Sequence, residues 1–586
     1  MKRNHIFALM PLVLVATSCA NNSHVKADTV VLGTTYTAEE KNNVVQAFAI
    51  KDGKYIYVGN ESGVNKYIEE GTTKVINNNN GLVIPGATEG HGHYFDGVGI
   101  NSQLPGCYEN YEKVLQILKE EYKKGITQFV SFGWNSYSLM EKIQNGDNFA
   151  NEIEEFAPNI PVVLIDNSGH SAIVNKTALT MSGIDEDTIV RGGTIKLDKD
   201  GKPSGYVSDQ VVAYVLDKCI TENILNETQY RAACEYGMNE LLRLGYTNAL
   251  DAYTNMIGNK GLYKALKKMD DEKLLKINLA ECFNIRSYDN DKYKSRVDQV
   301  VEIVKNYSSA HLHPEYIKIF ADGVMEAGSG WTIDPYENAA PGKEHGNIIF
   351  TEEELNYITD YANKNGVLIH AHTYGDGACK AMLDAYIASN TANKKKFRNC
   401  LAHVRNIADE DVIRAANNKI PVAENLIWHT DYDVNLPEDK AIRDSIIAIM
   451  GEERYLNGYP MKSLMDKGVI VSSSTDAPAA MDCEGSIMNV LEISCTGLGP
   501  DSGSEPFAKE ECLSIKEGLK ALTINGAYQL GIEKERGSIK VGKYADFVIL
   551  DTNILDYEGQ ELRNIHNAKI LNTYFEGEKV YSAPNK

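Results

Sequence analysis

Short apolar runs rich in β-branched residues recur along the chain at strand-like lengths. One run ends just before His91, and seven more occupy residues 247–251, 277–280, 316–320, 367–372, 399–403, 420–423 and 469–473. Segments typical of helices lie between most of these runs. Strands that alternate with helices and close at eight predict an α/β fold built around a TIM (β/α)8 barrel, whose chemistry lies at the C-terminal ends of the strands.

The two ends of the chain show a different pattern, with short β-branched runs separated by Gly- and Asp-containing turns. We expect residues 29–84 and 535–586 to combine in one small composite β-sandwich domain, although two unrelated β pieces would show the same pattern. The barrel of the metal-dependent hydrolase type would then span residues 85–534. A mixed segment at about 101–229 is predicted to be an insertion after the first barrel strand.

The N-terminus has the pattern of a secretory signal, with a basic start, an apolar stretch and small residues before Cys19. Residues 1–18 resemble a bacterial lipoprotein signal peptide, which predicts that Cys19 is lipidated and that residues 19–28 form a tether. An ordinary cleaved signal followed by a coincidental cysteine is the alternative. No other stretch reaches the roughly 20 apolar residues of a spanning helix. We therefore expect an extracytoplasmic protein of the bacterial cell envelope, attached to the membrane only by its lipid anchor.

Composition narrows the classes of partner. The 586 residues carry a formal net charge of −22, which argues against nucleic acid because phosphate binding needs clustered basic residues. The ten cysteines include Cys19 and are otherwise scattered singly, so a disulfide framework is not expected. A homodimer is compatible with the sequence, which does not determine the number of subunits.

Two histidines one residue apart suggest half of a metal site. His91 and His93 point to the same side of a strand because side chains alternate between its faces. Alone, the pair could equally be a chance occurrence in a surface loop, since metals need three or four ligands. Further candidates follow at or near the ends of the later apolar runs: Lys318, His372, His403 and Asp476.

Imidazoles and a carboxylate suit zinc or another borderline divalent ion. Lys318 is the unusual member of the set, because an ammonium group repels a cation and can serve only when deprotonated or modified. Carboxylation by carbon dioxide would convert Lys318 into a bridging carboxylate between two metals. A solvated or core lysine is the alternative interpretation.

Four motifs connect these residues to a known family. They are Pro85-Gly86 followed by His91 and His93, the segment Lys-Ile-Phe-Ala-Asp-Gly at 318–323, His-Thr-Tyr-Gly-Asp at 372–376, and Ser-Thr-Asp-Ala-Pro at 474–478. With them the chain resembles the amidohydrolase superfamily, and specifically amidohydrolase family 3, which holds N-substituted formamide deformylase and YtcJ-like proteins. The similarity spans nearly everything after the signal segment.

The resemblance implies a mononuclear or binuclear metal centre that generates hydroxide at neutral pH and polarises a carbonyl group. It implies one or two Zn²⁺ ions, or another divalent metal, with a carboxylated lysine as one option. The implied ligands are His91, His93, Lys318, His372, His403 and Asp476.

The resemblance also suggests roles around the metal. Asp476 would be a proton shuttle as well as a ligand. His170, from the insertion, is the candidate for binding the substrate carbonyl or stabilising the transition state, although it could be a structurally packed loop histidine. His370, Asp322 and Asp376 are expected to support the ligating histidines rather than to bind the ion.

The motifs predict a metal-dependent hydrolase that acts on a C–N bond, in an amide, N-acyl or N-formyl group of a small molecule. Cyclic amide, ester or deaminase substrates remain open, as does a catalytically inactive small-molecule-binding lipoprotein. The chain departs from the family near the site, with Glu89 where an aspartate is usual. Ala402 and Arg405 replace a glutamate and a glutamine, and residues 325–327 interrupt a Gly-Ser-rich stretch. The substrate therefore cannot be carried over from relatives.

Overall fold

A computed structural model of the protein describes residues 25–584, except 42, 221–222, 256–259, 340–341, 479–482, 501 and 503–504. The predicted signal peptide and Cys19 lie outside the described residues. Within the described ranges, no helix is both long and apolar enough to cross a membrane.

The strands of the described chain are β1 (Thr29–Tyr36), β2 (Val44–Lys51), β3 (Lys54–Gly59), β4 (Lys74–Pro85), β5 (Ala87–Gly92), β6 (Phe129–Trp134), β7 (Val162–Asp166), β8 (Ser171–Val174), β9 (Gly193–Leu197), β10 (Pro203–Asp209), β11 (Tyr246–Asp251), β12 (Asn278–Asn284), β13 (Leu312–Phe320), β14 (Leu368–His372), β15 (Cys400–Ala402), β16 (Val422–Glu424), β17 (Val471–Ser473), β18 (Phe547–Leu550), β19 (Ile570–Phe575) and β20 (Glu578–Ser582).

The α-helices of the same ranges are α1 (Glu61–Val64), α2 (Tyr111–Lys123), α3 (Met140–Gln144), α4 (Phe149–Glu154), α5 (Lys176–Ser182), α6 (Gln210–Cys219), α7 (Glu227–Arg243), α8 (Lys260–Asp271), α9 (Tyr293–Tyr307), α10 (Glu352–Lys364), α11 (Asp376–Asn393), α12 (Asp409–Asn418), α13 (Pro437–Met450), α14 (Glu452–Leu456), α15 (Met461–Asp466), α16 (Ile487–Thr496), α17 (Ile515–Lys520) and α18 (Gly526–Gln529).

The predicted eight-stranded barrel is confirmed. Strand β5 and strands β11 to β17 pair in chain order, and every ladder between them is parallel. Beyond the last ladder, the loop after β17 reaches β5: the Asp476 N–H donates to the His91 carbonyl over 2.8 Å, and the His93 N–H donates to Ala477 over 2.8 Å. These bonds nearly close the barrel at its C-terminal end.

Alternation along the barrel strands determines which side chains face the interior. In β13, Ile317 and Ile319 pack in a core cluster that includes Val297 and Val300 of α9, on the outside of the barrel. Lys318, between the two isoleucines, therefore faces the barrel interior. Both faces of a parallel barrel sheet are buried, which is why these strands are apolar on both sides except where chemistry needs a polar group.

The two ends of the chain meet in one seven-stranded sheet, in the order β20-β19-β18-β4-β1-β2-β3. The sheet curls, because Lys54 at the start of β3 forms a bridge with Tyr544 just before β18. In its core the Phe547 ring stacks on that of Tyr574 with centroids 4.2 Å apart, and the Phe48 ring lies edge-on to Phe547 at 5.1 Å. The composite domain expected from the sequence thus takes the form of a single curled sheet.

Residues between β5 and β11 form a second α/β unit around a five-stranded sheet, in the order β6-β7-β8-β10-β9. The turn between β7 and β8 carries His170, whose ring lies edge-on to Phe320 at the end of β13, with centroids 6.5 Å apart. The unit therefore contributes a side chain to the C-terminal mouth of the barrel.

His311 joins the barrel to the terminal sheet. Its Nδ1 lies 2.7 Å from the carboxylate of Asp270 in α8, and its Nε2 lies 3.1 Å from the carboxylate of Glu576 between β19 and β20. Burial works against the charged ring, but the two carboxylates outweigh it and raise the pKa of His311 to about 9.

We predict that His311→Gln lowers the free energy of unfolding by about 2 kcal/mol at about pH 6. The stabilisation is fully present below the unfolded-state pKa of about 6.5 and is lost as the pH rises through about 9. Urea unfolding of both proteins at about pH 6 and pH 10 measures the difference. His313→Gln is the control, because burial lowers the pKa of His313. An equal effect of His311→Gln at both pH values would contradict the prediction.

Candidate metal centre

His91 and Asp476 are held in place by a buried carboxylate. Glu89 of β5 accepts hydrogen bonds from the His91 N–H over 3.1 Å, from the Thr475 N–H over 2.9 Å and from the Thr475 hydroxyl over 2.8 Å. The same carboxylate thereby fixes the end of β5 and the loop that follows β17. The sequence showed Glu89 only as a departure from the family pattern. Its structural role was not predictable, because its partner Thr475 is 386 positions away in the chain.

Two imidazoles converge on one carboxylate at the barrel mouth. The Nε2 atoms of His91 and His93 lie 3.3 and 3.2 Å from Oδ1 of Asp476. One ligand atom from each residue lies within 4.8 Å of those of the other two. Two imidazole nitrogens and a carboxylate oxygen in this arrangement fit a divalent ion of the zinc type.

The second nitrogen of each imidazole has a partner that orients the ring. His93 Nδ1 lies 3.2 Å from the carboxylate of Asp96, and His91 Nδ1 lies 2.7 Å from Nε2 of His370. His403 Nδ1 lies 2.9 Å from Oδ1 of Asn425. Such bonds fix the tautomer and direct the free nitrogen toward an ion. Sequence reasoning anticipated a supporting role for His370 and overlooked the other two, although Asp96 follows His93 by three residues.

Lys318 lies directly against the histidines. It is 1% exposed, and its Nζ is 3.0 Å from Nε2 of His91. Burial disfavours the ammonium form and lowers the pKa of Lys318 to about 8. A sizeable fraction of neutral amine is therefore present near neutral pH.

The remaining two histidines complete the ring of imidazoles. The His403 ring lies 4.2 Å from that of His91, and the His372 ring lies 5.0 Å from that of His403. His372 Nε2 is 3.1 Å from the carbonyl oxygen of Gly323, so its Nδ1 is the nitrogen left for a ligand. His403 and Asp476 have φ values of 62° and 58°. Left-handed backbone is uncommon for residues other than glycine and is often found at functional sites.

The two predicted supporting carboxylates differ in what they contact. Asp322 lies 3.7 Å from His372 Nε2, and it accepts backbone N–H groups of Trp331, Tyr374 and Gly375. It therefore shapes the loop around His372. Asp376 accepts the N–H groups of Ile333 and Gly377 at the start of α11, and none of the contacts among the described residues joins it to a histidine.

His170 lies at the entrance to the site with its side chain 40% exposed. Its Nδ1 is 3.0 Å from the carboxylate of Asp209 at the end of β10. Desolvation would lower the pKa of His170, but the bond to Asp209 outweighs it and the pKa is raised. The ring of Phe320 contacts both His170 and His372, with centroid distances of 6.5 and 5.4 Å.

Comparison with known proteins identifies the family. A model described as the amidohydrolase family matches residues 74–581. The chain belongs to the amidohydrolase family. The family makes this protein a hydrolase and implies a divalent metal ion, in agreement with the donor set of His91, His93 and Asp476.

Individual relatives of this amidohydrolase are distant but match over nearly their full length. Protein LONG AFTER FAR-RED 3 of Arabidopsis thaliana is 25% identical over 94% of this chain and 90% of its own. N-substituted formamide deformylase of Arthrobacter pascens is 25% identical over 92% of this chain and 96% of its own. The crystal structure of an uncharacterized metal-dependent hydrolase from Pyrococcus horikoshii superposes with a TM-score of 0.67 at 21% identity, covering 90% of this chain and 98% of that one. This structural similarity supports the assignment of the barrel fold.

Two departures from the family pattern meet beside the metal centre of this amidohydrolase. Arg405 Nε lies 3.4 Å from Oε1 of Glu326, which also accepts a 3.0 Å hydrogen bond from the Tyr374 hydroxyl. The Tyr374 ring stacks on that of His372 at 5.9 Å. Arg405 is 4% exposed, so the carboxylate balances a buried charge next to the histidines.

We predict that Glu89→Ala lowers the free energy of unfolding by about 2–3 kcal/mol, because it leaves buried donors of His91 and Thr475 without an acceptor. The metal affinity should fall by roughly 10–100-fold, since the loop that carries Asp476 loses its anchor. Urea unfolding and zinc titration measure the two effects. Glu89→Asp, which keeps the carboxyl group on a shorter side chain, should be intermediate, and an alanine variant with unaltered metal affinity would rule out the anchoring role.

Proposed function

We propose that this amidohydrolase hydrolyses a C–N bond in an amide, N-acyl or N-formyl group of a small molecule. The observation that carries the proposal is the convergence of His91 Nε2 and His93 Nε2 on the carboxylate of Asp476 at the barrel mouth. The name of one relative, N-substituted formamide deformylase, supports a C–N substrate.

The proposed cofactor is Zn²⁺, as one or two ions, because imidazole and carboxylate donors suit it. His91, His93 and Asp476 would hold it, with His372, His403 and Lys318 as the further ligands. When bound, such an ion activates water and polarises a carbonyl group.

Asp476 is the proposed proton carrier. Burial would raise the pKa of this carboxyl group, but His403 and His93 outweigh it and the pKa is lowered, which keeps the group ionised. The carboxylate can accept a proton from the attacking water and pass it to the leaving nitrogen, as general acid–base catalysis of amide hydrolysis requires. Its side chain is 16% exposed, so a substrate at the mouth can reach it.

His170 is the proposed group that binds the substrate carbonyl. Its bond to Asp209 uses Nδ1 and leaves Nε2 at the barrel mouth. A donor at this position stabilises negative charge as it develops on the oxygen during attack.

Lys318 is proposed to be carboxylated in the active protein. Its neutral amine can add to carbon dioxide with release of one proton, which converts a cation repelled by the centre into an anionic oxygen ligand. The lowered pKa of Lys318 supports the reaction because it raises the amount of free amine.

We also propose that the mature protein is anchored outside the cytoplasm through a lipid on Cys19, on the strength of the sequence pattern alone. Metabolic labelling with palmitate should mark the wild type and not Cys19→Ala. Labelling of neither protein would rule out the anchor.

A substrate screen with zinc-supplied protein tests the reaction. Matched amides and esters with the same acyl group, N-formyl amines, cyclic amides and aminopurines separate the possible bond types. We expect turnover of open-chain amides or N-formyl amines that disappears with a chelator and returns with zinc. Turnover confined to esters, cyclic amides or aminopurines would contradict the proposed bond, and no turnover of any class would favour a binding protein.

A further inference from the structure

Asp209 occupies an unusual place at the junction of β10 and α6. Its backbone has φ 53° and ψ −123°, a conformation that side-chain-bearing residues rarely adopt. It is the N-cap residue of α6, a helix of ten residues, yet its side chain makes no capping hydrogen bond. Aspartate is among the best N-cap residues, so both features work against the local stability of the helix.

Neighbouring helices show what an ordinary cap looks like in this unit. Asn110, Asn148 and Asn175 each precede a helix and each accept a hydrogen bond from a backbone N–H in its first turn. The carboxylate of Asp209 instead binds His170 Nδ1 over 3.0 Å, and its backbone N–H donates to the carbonyl oxygen of His170 over 2.6 Å. Asp209 therefore makes no capping hydrogen bond to α6 and has a strained backbone, while its carboxylate contacts His170.

The turn that carries His170 is itself fixed from the other side. The carboxylate of Asp166 accepts hydrogen bonds from the Ser168 hydroxyl over 2.8 Å and from the Ser171 N–H over 3.2 Å. His170 is thus constrained through its backbone and through one ring nitrogen. Among the described residues, no contact occupies its Nε2.

We propose that Asp209 is a positioning residue that fixes His170 through Nδ1 and directs its Nε2–H into the barrel mouth, toward the carbonyl oxygen of the substrate. Strained backbone conformations persist at functional sites because the surroundings hold them there. The expected kinetic effects rest on the proposed amide hydrolysis. The contact between Asp209 and His170 does not depend on that function.

The charges around His170 agree with this role. Desolvation opposes the charged ring, whereas Asp209, Asp166 and Asp476 favour it and raise the pKa of His170. A charged ring carries a hydrogen on both nitrogens, so Nε2 can donate while Nδ1 binds Asp209.

Asp209→Gly is the most informative change, because glycine tolerates the positive φ and the substitution removes the carboxylate together with only one methylene group. We expect a melting temperature equal to or above that of the wild type, unaltered zinc content, and kcat/KM lowered by up to about 10²–10³-fold, the range seen when one donor to a developing oxyanion is removed. Asp200→Asn, in the exposed turn before β10, removes the same charge from the same unit and should behave as wild type.

The double variant Asp209→Gly/His170→Ala decides whether Asp209 acts through His170. If it does, the double variant is no slower than His170→Ala alone, because the two residues work as a unit. Effects that multiply would overturn the proposal, as would an Asp209→Gly variant with wild-type kinetics.

A spectroscopic measurement tests the pair independently of turnover. In protein labelled with ¹⁵N-histidine, the resonance absent from His170→Gln belongs to His170, and its titration can be followed in the wild type and in Asp209→Asn. We expect the pKa of His170 to be lower in the variant, and identical titrations would overturn the pairing. A wild type that titrates as expected but hydrolyses no amide would instead count against the proposed function.

Discussion

Asp476→Asn is expected to lower kcat/KM by about 10²–10⁴-fold, the range for a residue that transfers a proton during catalysis. The substitution keeps the size of the side chain and removes its negative charge, so the His91 and His93 imidazoles lose the anionic oxygen on which they converge. The zinc content should fall as well, because the asparagine amide oxygen is a weaker ligand than a carboxylate. Steady-state kinetics and metal analysis of the purified protein measure both effects.

The fold should survive this change, because the bonds that fix the Asp476 loop come from other atoms. Glu89 holds Thr475, and the Asp476 backbone N–H donates to the His91 carbonyl. Asp409→Asn is the matched control, since that carboxylate is 91% exposed and pairs with Lys467 on the surface. An Asp476→Asn variant with wild-type kcat/KM would exclude Asp476 as the proton carrier.

Lys318→Ala is expected to lower the metal content from about two ions per chain to one or none, as the loss of a bridging ligand in a two-metal centre requires. The physical reason is that a carboxylated Lys318 would supply an anionic oxygen ligand beside His91, which an alanine cannot replace. In the wild type, ¹³C-labelled bicarbonate should give a carbamate signal in the NMR spectrum that is absent from the variant. Activity should fall together with the metal content.

Lys543→Ala is the matched control for the removal of a buried lysine. Lys543 is 6% exposed and burial lowers its pKa, but it donates to the Arg536 carbonyl in the terminal sheet and contacts none of the candidate metal ligands among the described residues. Equal metal content in wild type and Lys318→Ala, with no carbamate signal, would exclude the bridge. The two-ion interpretation would then be wrong, although a single-ion centre of His91, His93 and Asp476 could still operate.

Several of the site residues could be predicted because strand geometry constrains them. His91 and His93 share a face since side chains alternate along a strand, and a parallel barrel brings the ends of distant strands to one rim. Lys318 could be recognised because it is a single charged residue in the otherwise apolar run 316–320. In the described chain these residues do meet at the rim, with Lys318 Nζ 3.0 Å from His91 Nε2.

Other residues could not be found in this way, because their partners depend on packing between segments far apart in the chain. Glu89 and Thr475 are 386 positions apart and form their bonds only once the barrel closes. Asp376 was expected to support a ligating histidine, as carboxylates around a metal site commonly do, but its carboxylate accepts backbone N–H groups at the start of a helix instead. Although Asp376 follows His372 by four residues, none of the contacts of the described chain joins the two side chains.

The sequence by itself determined the eight-stranded barrel, the family and the set of polar residues at the strand ends, because periodicity and motif spacing are local properties of the chain. The tertiary structure decided which of these residues touch. It set the pairing of Arg405 with Glu326 and of Asp209 with His170, since the loops that join different strands determine which charged groups come into contact. Buried charges need partners, and only the folded chain shows which partner each one has.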